Sequence, residues 1–287
     1  MDLSAFAAAV GDTDPVCIAG LGTRGGSACD DRLVAAPSGV YNVEADEMIV
    51  DCGAGTPVAE LQNELRAIGQ FVALPDGGTV GGALAVGRSG VRRLGDGPVR
   101  DALLQANFIN AAGKEIKAGG PTVKNVSGFD LCRLLVGSRG TLGFLGTVRL
   151  RTRPLAAASR WFSATTDPWD LQTRLYRPTS VLWDGATTWV LLEGHPNDVL
   201  DQAEGADLTP SGGAPMLPTG GRWSVSPGSL AALRGEFVAE IGVGVVHHSL
   251  PAPVVSISDG VRRINQRLKQ HFDPTGRLNP GVSLFDV

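Results

Sequence analysis

Val16-Cys17-Ile18-Ala19-Gly20-Leu21-Gly22-Thr23-Arg24-Gly25-Gly26 is the stretch whose reading decides the fold. Its first four residues are apolar and read as a short strand. Gly20-Leu21-Gly22-Thr23-Arg24-Gly25 then shows G-x-G-x-x-G spacing. In a doubly wound dinucleotide fold, a helix follows such glycines at once and its N-terminus holds a pyrophosphate. In the alternative, successive backbone N–H groups of the loop form an anion nest, and no helix is needed. Residues 26–40 have no helical apolar period and contain Pro37. The sequence therefore predicts a phosphate-binding loop outside a doubly wound fold.

The glycines support that reading. The chain has 39 of them in 287 residues, near twice the ordinary share of roughly 7%. They cluster at 20–26, 77–90 and 137–146. Clustered glycine lets a backbone turn sharply or approach something closely. The second cluster sits in Leu74-Pro75-Asp76-Gly77-Gly78-Thr79-Val80-Gly81-Gly82-Ala83-Leu84-Ala85-Val86-Gly87. A flexible loop is one reading. Val80, Leu84 and Val86 tie the segment to a core, and a flat ligand lying on backbone explains the small side chains.

Outward from these clusters, the pattern predicts a helix over Leu3–Val10, a strand at Val16–Ala19 and β structure around Met48–Cys52. A helix follows with Thr56 as N-cap, Pro57 at its first position and Gly69 as its stop. Val58, Leu61, Leu65 and Ile68 share one face. Ala102–Asn110 reads as a strand entering a turn at Ala112-Gly113, and Thr147–Arg153 as a strand closed by Pro154. Beyond it, Arg160–Thr165, Pro168–Leu175, Ser180–Trp183, Thr188–Glu193 and Asp198–Glu204 run β-α-β-β-α, the order of a split ferredoxin-like unit. Residues 209–228 read as a loop and Gly242–His248 as a strand. A last helix from Ser258 carries Val261, Ile264 and Leu268 on one face, before the turn Asp273-Pro274-Thr275-Gly276. The expected fold is α+β, with domains at 1–154, 155–250 and 251–287.

Composition limits the function. A net charge of −4 argues against nucleic acid and anionic membrane surfaces, which favour basic patches. Cys17, Cys29, Cys52 and Cys132 show no C-x-x-C spacing, so a zinc or iron–sulfur ligand set is not expected. They read as buried free thiols in a reducing compartment. Met1-Asp2-Leu3-Ser4 lacks the basic start of a signal peptide, and no apolar run reaches the ~18 residues of a membrane span. Asn125-Val126-Ser127 reads as a chance sequon. The expected location is cytoplasmic, with any membrane association made through partners.

Several ordered motifs together carry a family resemblance. Gly20–Gly26, Thr79-Val80-Gly81-Gly82, Ser89-Gly90-Val91-Arg92-Arg93 and Val99-Arg100-Asp101 resemble the FAD-binding domain of vanillyl-alcohol-oxidase-type (PCMH-type) flavoproteins. Val123-Lys124-Asn125-Val126-Ser127-Gly128-Phe129-Asp130-Leu131-Cys132-Arg133-Leu134 and Gly137-Ser138-Arg139-Gly140-Thr141-Leu142-Gly143 narrow it to the FAD-binding subunit of glycolate oxidase. Phe272-Asp273-Pro274-Thr275-Gly276-Arg277-Leu278-Asn279-Pro280-Gly281 is similar to the closing motif of the same superfamily.

The resemblance implies a PCMH-type two-subdomain FAD-binding fold with a small ferredoxin-like cap. It implies non-covalent FAD. Gly20, Leu21, Gly22, Thr23, Arg24 and Gly25 would surround the pyrophosphate with Pro75, Gly78, Thr79, Gly81 and Gly82. Ser89, Asp101, Gly137, Ser138, Gly140, Thr141 and Gly143 would line the rest, and Asn279 would sit near the flavin. No His or Cys stands in the first loop to link a flavin covalently. It further implies an oxidoreductase acting on a 2-hydroxy acid, glycolate or D-lactate, with a second flavin subunit and an iron–sulfur subunit as partners.

Such an oxidation needs a base for the hydroxyl proton and a cation for the carboxylate. Arg92 and Arg93 are the nearest cations by motif position; the alternative is a structural role. His247 and His248 end a strand, so one points inward. His247 is the candidate base, against a reading of one core histidine and one exposed one. Lys124 and Asn125 either touch the flavin edge or stabilise their loop. The enzyme reading stands beside two others: a non-catalytic or electron-relay flavin subunit, and a stand-alone flavoenzyme acting on another alcohol or sugar.

Overall fold

The computed structural model describes residues 1–25, 32–120, 130–254 and 256–282. The chain forms two compact units. The first comprises Met1–Gly90, Pro98–Leu155 and the segment from Ile257 onward; the second comprises Val91–Gly97 and Ala156–Ser256. Val91–Gly97, inside the expected first domain, is thus part of the second unit.

In the first unit, helix α1 (Ser4–Val10) leads into strand β1 (Val16–Ala19), which pairs in parallel with β2 (Arg32–Ala35). β1 therefore enters the glycine loop as expected, and a strand rather than a helix lies beyond the loop. β3 (Val40–Glu44), β4 (Ile49–Gly53), β6 (Leu103–Ile109), β7 (Glu115–Gly119) and β8 (Phe144–Arg151) form an antiparallel sheet in the order β3-β4-β8-β6-β7. The short strands β5 (Gln70–Phe71) and β9 (Arg153–Pro154) pair separately.

Helix α2 (Val58–Arg66) buries Val58, Leu61 and Leu65 against this sheet's core. Each leucine contributes about 1.5–3 kcal/mol by leaving water. Two expectations here need correction. Pro57, not Thr56, is the N-cap, because the Thr56 hydroxyl bonds the Gly39 backbone at 2.9 and 3.1 Å. Ile68 is exposed, two residues past the helix. The second glycine cluster is a helix, α3 (Val80–Val86). The Thr79 hydroxyl accepts from Gly82 N–H at 3.1 Å at its start, and left-handed Gly87 ends it.

The chain's last part returns to this unit. Leu278 bridges Val16 in parallel, while Val16 N–H donates to Arg277 and Asn279 N–H donates to Val16, both at 2.9 Å. The buried Arg277 guanidinium bonds the carbonyls of Val10, Gly11, Asp14 and Ala111. Ahead of it, helix Asp259–Phe272 starts at Ser258, whose hydroxyl caps Val261 N–H. Of its apolar stripe, Val261 and Ile264 are exposed and Leu268 is half-buried, while Phe272 packs on the first core.

The second unit begins as a ferredoxin-like β-α-β-β-α-β chain. β10 (Ala158–Ala164), β11 (Ser180–Trp183), β12 (Thr188–Gly194) and β13 (Thr209–Pro210) stand in the order β13-β10-β12-β11. Helices Pro168–Arg174 and Pro196–Gly205 are the two crossovers. β14 (Gly221–Ser224), β15 (Phe237–Glu240) and β16 (Val245–His248) extend the sheet to seven strands, all antiparallel. The expected loop at 209–228 thus contains β13 and β14. The expected strand Gly242–His248 is the second arm of a hairpin whose turn contains Gly242 and Gly244, both with positive φ.

Cys52 and Cys132 are free and buried, as expected. Cys17 is disulfide-bonded, which corrects the free-thiol expectation for that residue. Cys29, the sequon and the Val123–Phe129 block with Lys124 and Asn125 lie outside the described residues. Among the described residues, no helix is long and apolar enough to cross a membrane.

Candidate functional site

The first unit encloses a cavity of about 520 Å³ at the end of β1. The first loop supplies one wall: Gly20, Leu21, Gly22, Thr23, Arg24 and Gly25 all line it. Gly22 has φ +68° with open space where a Cβ would stand, a conformation that glycine adopts at no steric cost. Among the described residues, the N–H groups of Leu21 to Arg24 donate to no other backbone carbonyl. They are the unpaired donors of an anion nest.

The α3 segment supplies a second wall through Thr79, Gly81 and Gly82. Arg24 ties the two walls together: its Nη2 lies 2.9, 2.9 and 2.5 Å from the carbonyl oxygens of Pro75, Asp76 and Gly77. Burial pulls the pKa of this guanidinium below its ordinary value. Gly78 (φ +65°) lies under the same loop, where an added Cβ would come within 2.5 Å of the Thr23 hydroxyl.

A third wall comes from Ser138, Arg139, Gly140 and Gly143, and Asn279 closes the cavity from the chain's returning segment. Asn279 Oδ1 accepts from Ile18 N–H at 2.9 Å, and Nδ2 donates to the Arg139 carbonyl at 2.7 Å. Leu33, Val86, Leu135 and Phe144 add an apolar side.

Six expected cofactor residues do not line the cavity but support it or lie elsewhere. Pro75 and Gly78 hold the first loop as described. Gly137 N–H donates to the Leu84 carbonyl at 3.0 Å. Thr141 is fully buried and donates to the Ser138 carbonyl at 2.7 Å. Ser89 caps Val99 N–H at 3.1 Å, and Asp101 stands 3.7 Å from Arg133 in an exposed ion pair.

The lining fits FAD. No carboxylate occurs among the described lining residues, two arginines do, and the hydroxyls of Thr23, Thr79 and Ser138 sit beside unpaired backbone donors. That set suits a pyrophosphate, and the apolar side suits a flat ring.

The expected catalytic residues lie in the second unit. Arg92 is not available to hold a substrate carboxylate. Its Nη1 and Nη2 grip Glu193 at 2.9 and 2.7 Å, and its Nε donates to Asp96 at 2.8 Å. Thr179 also donates to Glu193, at 3.1 Å. Burial opposes the Glu193 charge, but these bonds outweigh it and hold its pKa below the ordinary value. Arg93 makes no side-chain hydrogen bond or ion pair among the described residues.

His248 is the satisfied core histidine. It is 1% exposed, stacks on Trp223 at 4.0 Å, and bonds the Arg234 carbonyl and Leu250 N–H at 2.9 Å each. His247 is not the exposed histidine of that reading: it is half-buried, and its Nε2 lies 2.8 Å from Oε1 of buried Glu240. Glu240 was not expected from the sequence, since only the hairpin register, with Val238 opposite His247, brings it diagonally beside that histidine.

Comparison with known proteins agrees with this cavity. Residues 4–119 match a family model described as an FAD binding domain. The chain is 36% identical over 126 residues to glycolate oxidase subunit GlcE of Escherichia coli (strain K12), covering 42% of this chain and 36% of that protein. It is 38% identical over 115 residues to a D-lactate dehydrogenase of Archaeoglobus fulgidus, covering 39% and 26%. With glycolate oxidase subunit GlcD of Bacillus subtilis (strain 168) it shares 40% over 78 residues, 26% of this chain and 17% of that protein. The chain thus spans about a third or less of the length of these relatives. Alkyldihydroxyacetonephosphate synthase matches in structure at a TM-score of 0.67 and 16% identity, over 93% of this chain and 71% of that one, which concerns the fold alone. The chain carries an FAD-binding domain in a PCMH-type fold.

Proposed function

We propose that this FAD-binding chain works as an oxidoreductase of the glycolate oxidase type, converting a 2-hydroxy acid, glycolate or D-lactate, to the 2-oxo acid. Electrons then pass to a partner, a second flavin subunit and an iron–sulfur subunit being the expected ones. The observation that carries the reading is the cavity walled by the Gly20–Gly25 loop, α3 and Asn279, with no carboxylate among its described lining residues. The names of the relatives support the reaction class and a multi-subunit setting.

The residues divide the work. Backbone donors of Leu21 to Arg24 and the Thr79 hydroxyl hold the pyrophosphate, and the apolar side excludes water from the ring. Bound FAD supplies the two-electron acceptor that the oxidation needs. Arg93, rather than Arg92, holds the substrate carboxylate. His247, with its Nε2 held 2.8 Å from Glu240, takes the hydroxyl proton.

A second reading is a flavin subunit that relays electrons and turns over nothing itself. The commitment of Arg92 to Glu193 and Asp96 favours it, because it removes one of two carboxylate-binding candidates. One experiment separates the two. The purified chain, alone and with co-expressed partner subunits, is examined for a flavin absorbance band and its bleaching by glycolate or D-lactate. Bleaching that is lost in Arg93→Ala and His247→Ala supports the enzyme. A band that never bleaches supports the relay, and the absence of any flavin band refutes both.

A further inference from the structure

The cavity is lined by two cations with opposite situations. Arg24 is spent on three backbone carbonyls. Arg139 makes no side-chain hydrogen bond or ion pair among the described residues. Its backbone is nonetheless held hard. Arg139 N–H donates to the Ala85 carbonyl at 2.8 Å, and its carbonyl accepts from Asn279 Nδ2 at 2.7 Å.

Arg139 also sits at φ +53°, the left-handed region, and Asn279 sits there too at φ +47°. Asparagine tolerates this conformation through its short polar side chain; arginine has no such excuse. A glycine would fit the same backbone without strain. A strained arginine, fixed by two backbone bonds and left with an unused guanidinium at a cavity with no carboxylate among its described lining residues, has its charge reserved for something the cavity receives.

We propose that Arg139 supplies that positive charge to an anionic group of the bound dinucleotide. The inference rests on the reading that this cavity holds FAD. Two parts of the ligand share the required chemistry: the pyrophosphate, which is anionic in every redox state, and the flavin ring once reduced. The backbone of Arg139 is tied through Asn279 to Ile18, two residues ahead of the first glycine loop, which places it beside the pyrophosphate donors.

The test uses the full chain and three variants: Arg139→Gly, Arg139→Gln and Arg139→Lys. Affinity for FAD and for ADP is measured by titration calorimetry, the reduction potential of bound flavin by dye equilibration, and thermal stability of the flavin-free protein alongside. Arg139→Gly is expected to keep or raise that stability while weakening FAD binding about tenfold, the order of one charge-assisted bond. Arg139→Gln binds as weakly, and Arg139→Lys recovers part of the loss.

An equal loss for ADP identifies the pyrophosphate as the partner. An unchanged ADP affinity with a lowered flavin potential identifies the ring. Both outcomes support the proposal. Variants that bind FAD and ADP as the unmodified chain does, at the same potential, overturn it while leaving the FAD reading intact. An unmodified chain that binds neither FAD nor ADP overturns both. Loss of stability in Arg139→Gly in step with affinity also overturns it, since that marks a structural arginine.

Discussion

Replacing Asn279 by alanine tests the closure of the cavity most directly. The substitution removes two hydrogen bonds, to Ile18 N–H at 2.9 Å and to the Arg139 carbonyl at 2.7 Å. Asn279 is 6% exposed, so water does not readily replace either bond. Each bond contributes about 1 kcal/mol net, and the Ile18 N–H left bare in the interior costs about 1 kcal/mol more. Alanine at φ +47° adds roughly 1 kcal/mol of backbone strain. The expected loss is therefore about 3–4 kcal/mol. Asn279→Gly loses the same bonds but not the backbone fit, so it falls short of the original by about 1 kcal/mol less than alanine does. Urea unfolding of the flavin-free protein, followed by circular dichroism, reads both differences, and FAD titration reads the effect on the cavity. A glycine variant less stable than the alanine variant would refute the strain argument. An alanine variant as stable as the original would refute the whole account of Asn279.

Two further outcomes follow from the ionisable groups. The native pKa of Glu193 lies below its unfolded value of about 4.3. Its pairing with Arg92 thus contributes stability that is present above that pH and lost as pH falls through the native value. Thermal midpoints across about pH 3 to 6 should drop less steeply in Glu193→Gln than in the original, and parallel curves would show that the pair carries no pH dependence. Burial, aided by nearby carboxylates, pushes the Cys52 thiol up to about 12 and the Cys132 thiol up to about 11. Neither should react with a thiol reagent at about pH 8 until the protein unfolds; rapid labelling of either in native protein, located by peptide mapping, would contradict their burial.

Much of the fold was legible because its signals are local. The apolar run Val16–Ala19 ended at glycine and became β1, and the order β-α-β-β-α in residues 158–205 became the ferredoxin-like core. α3 is not legible in the sequence because Val80-Gly81-Gly82-Ala83-Leu84-Ala85-Val86 has little propensity for a helix; the Thr79 cap and packing on the first core hold it there. Phe237–Glu240 escaped as a strand because it gains its partners only in the assembled sheet, beside β11 and β16. At the site, the glycine loop could be read from its spacing together with the missing helical period after it. The Arg139–Asn279 contact could not. It joins residues 140 positions apart, and their left-handed backbones are set by tertiary bonds rather than by residue type.

The parallel bridge between Val16 and Leu278 has a consequence for when the protein becomes competent. Once β1 is made, Ile18 waits 261 positions for the side chain that satisfies its N–H. Translation at about 5–20 residues per second makes that interval tens of seconds long. Throughout it the phosphate loop exists without its closing wall, while the second unit is being made. Flavin capture is thereby deferred until the chain's last helix and the Arg277 anchor have left the ribosome.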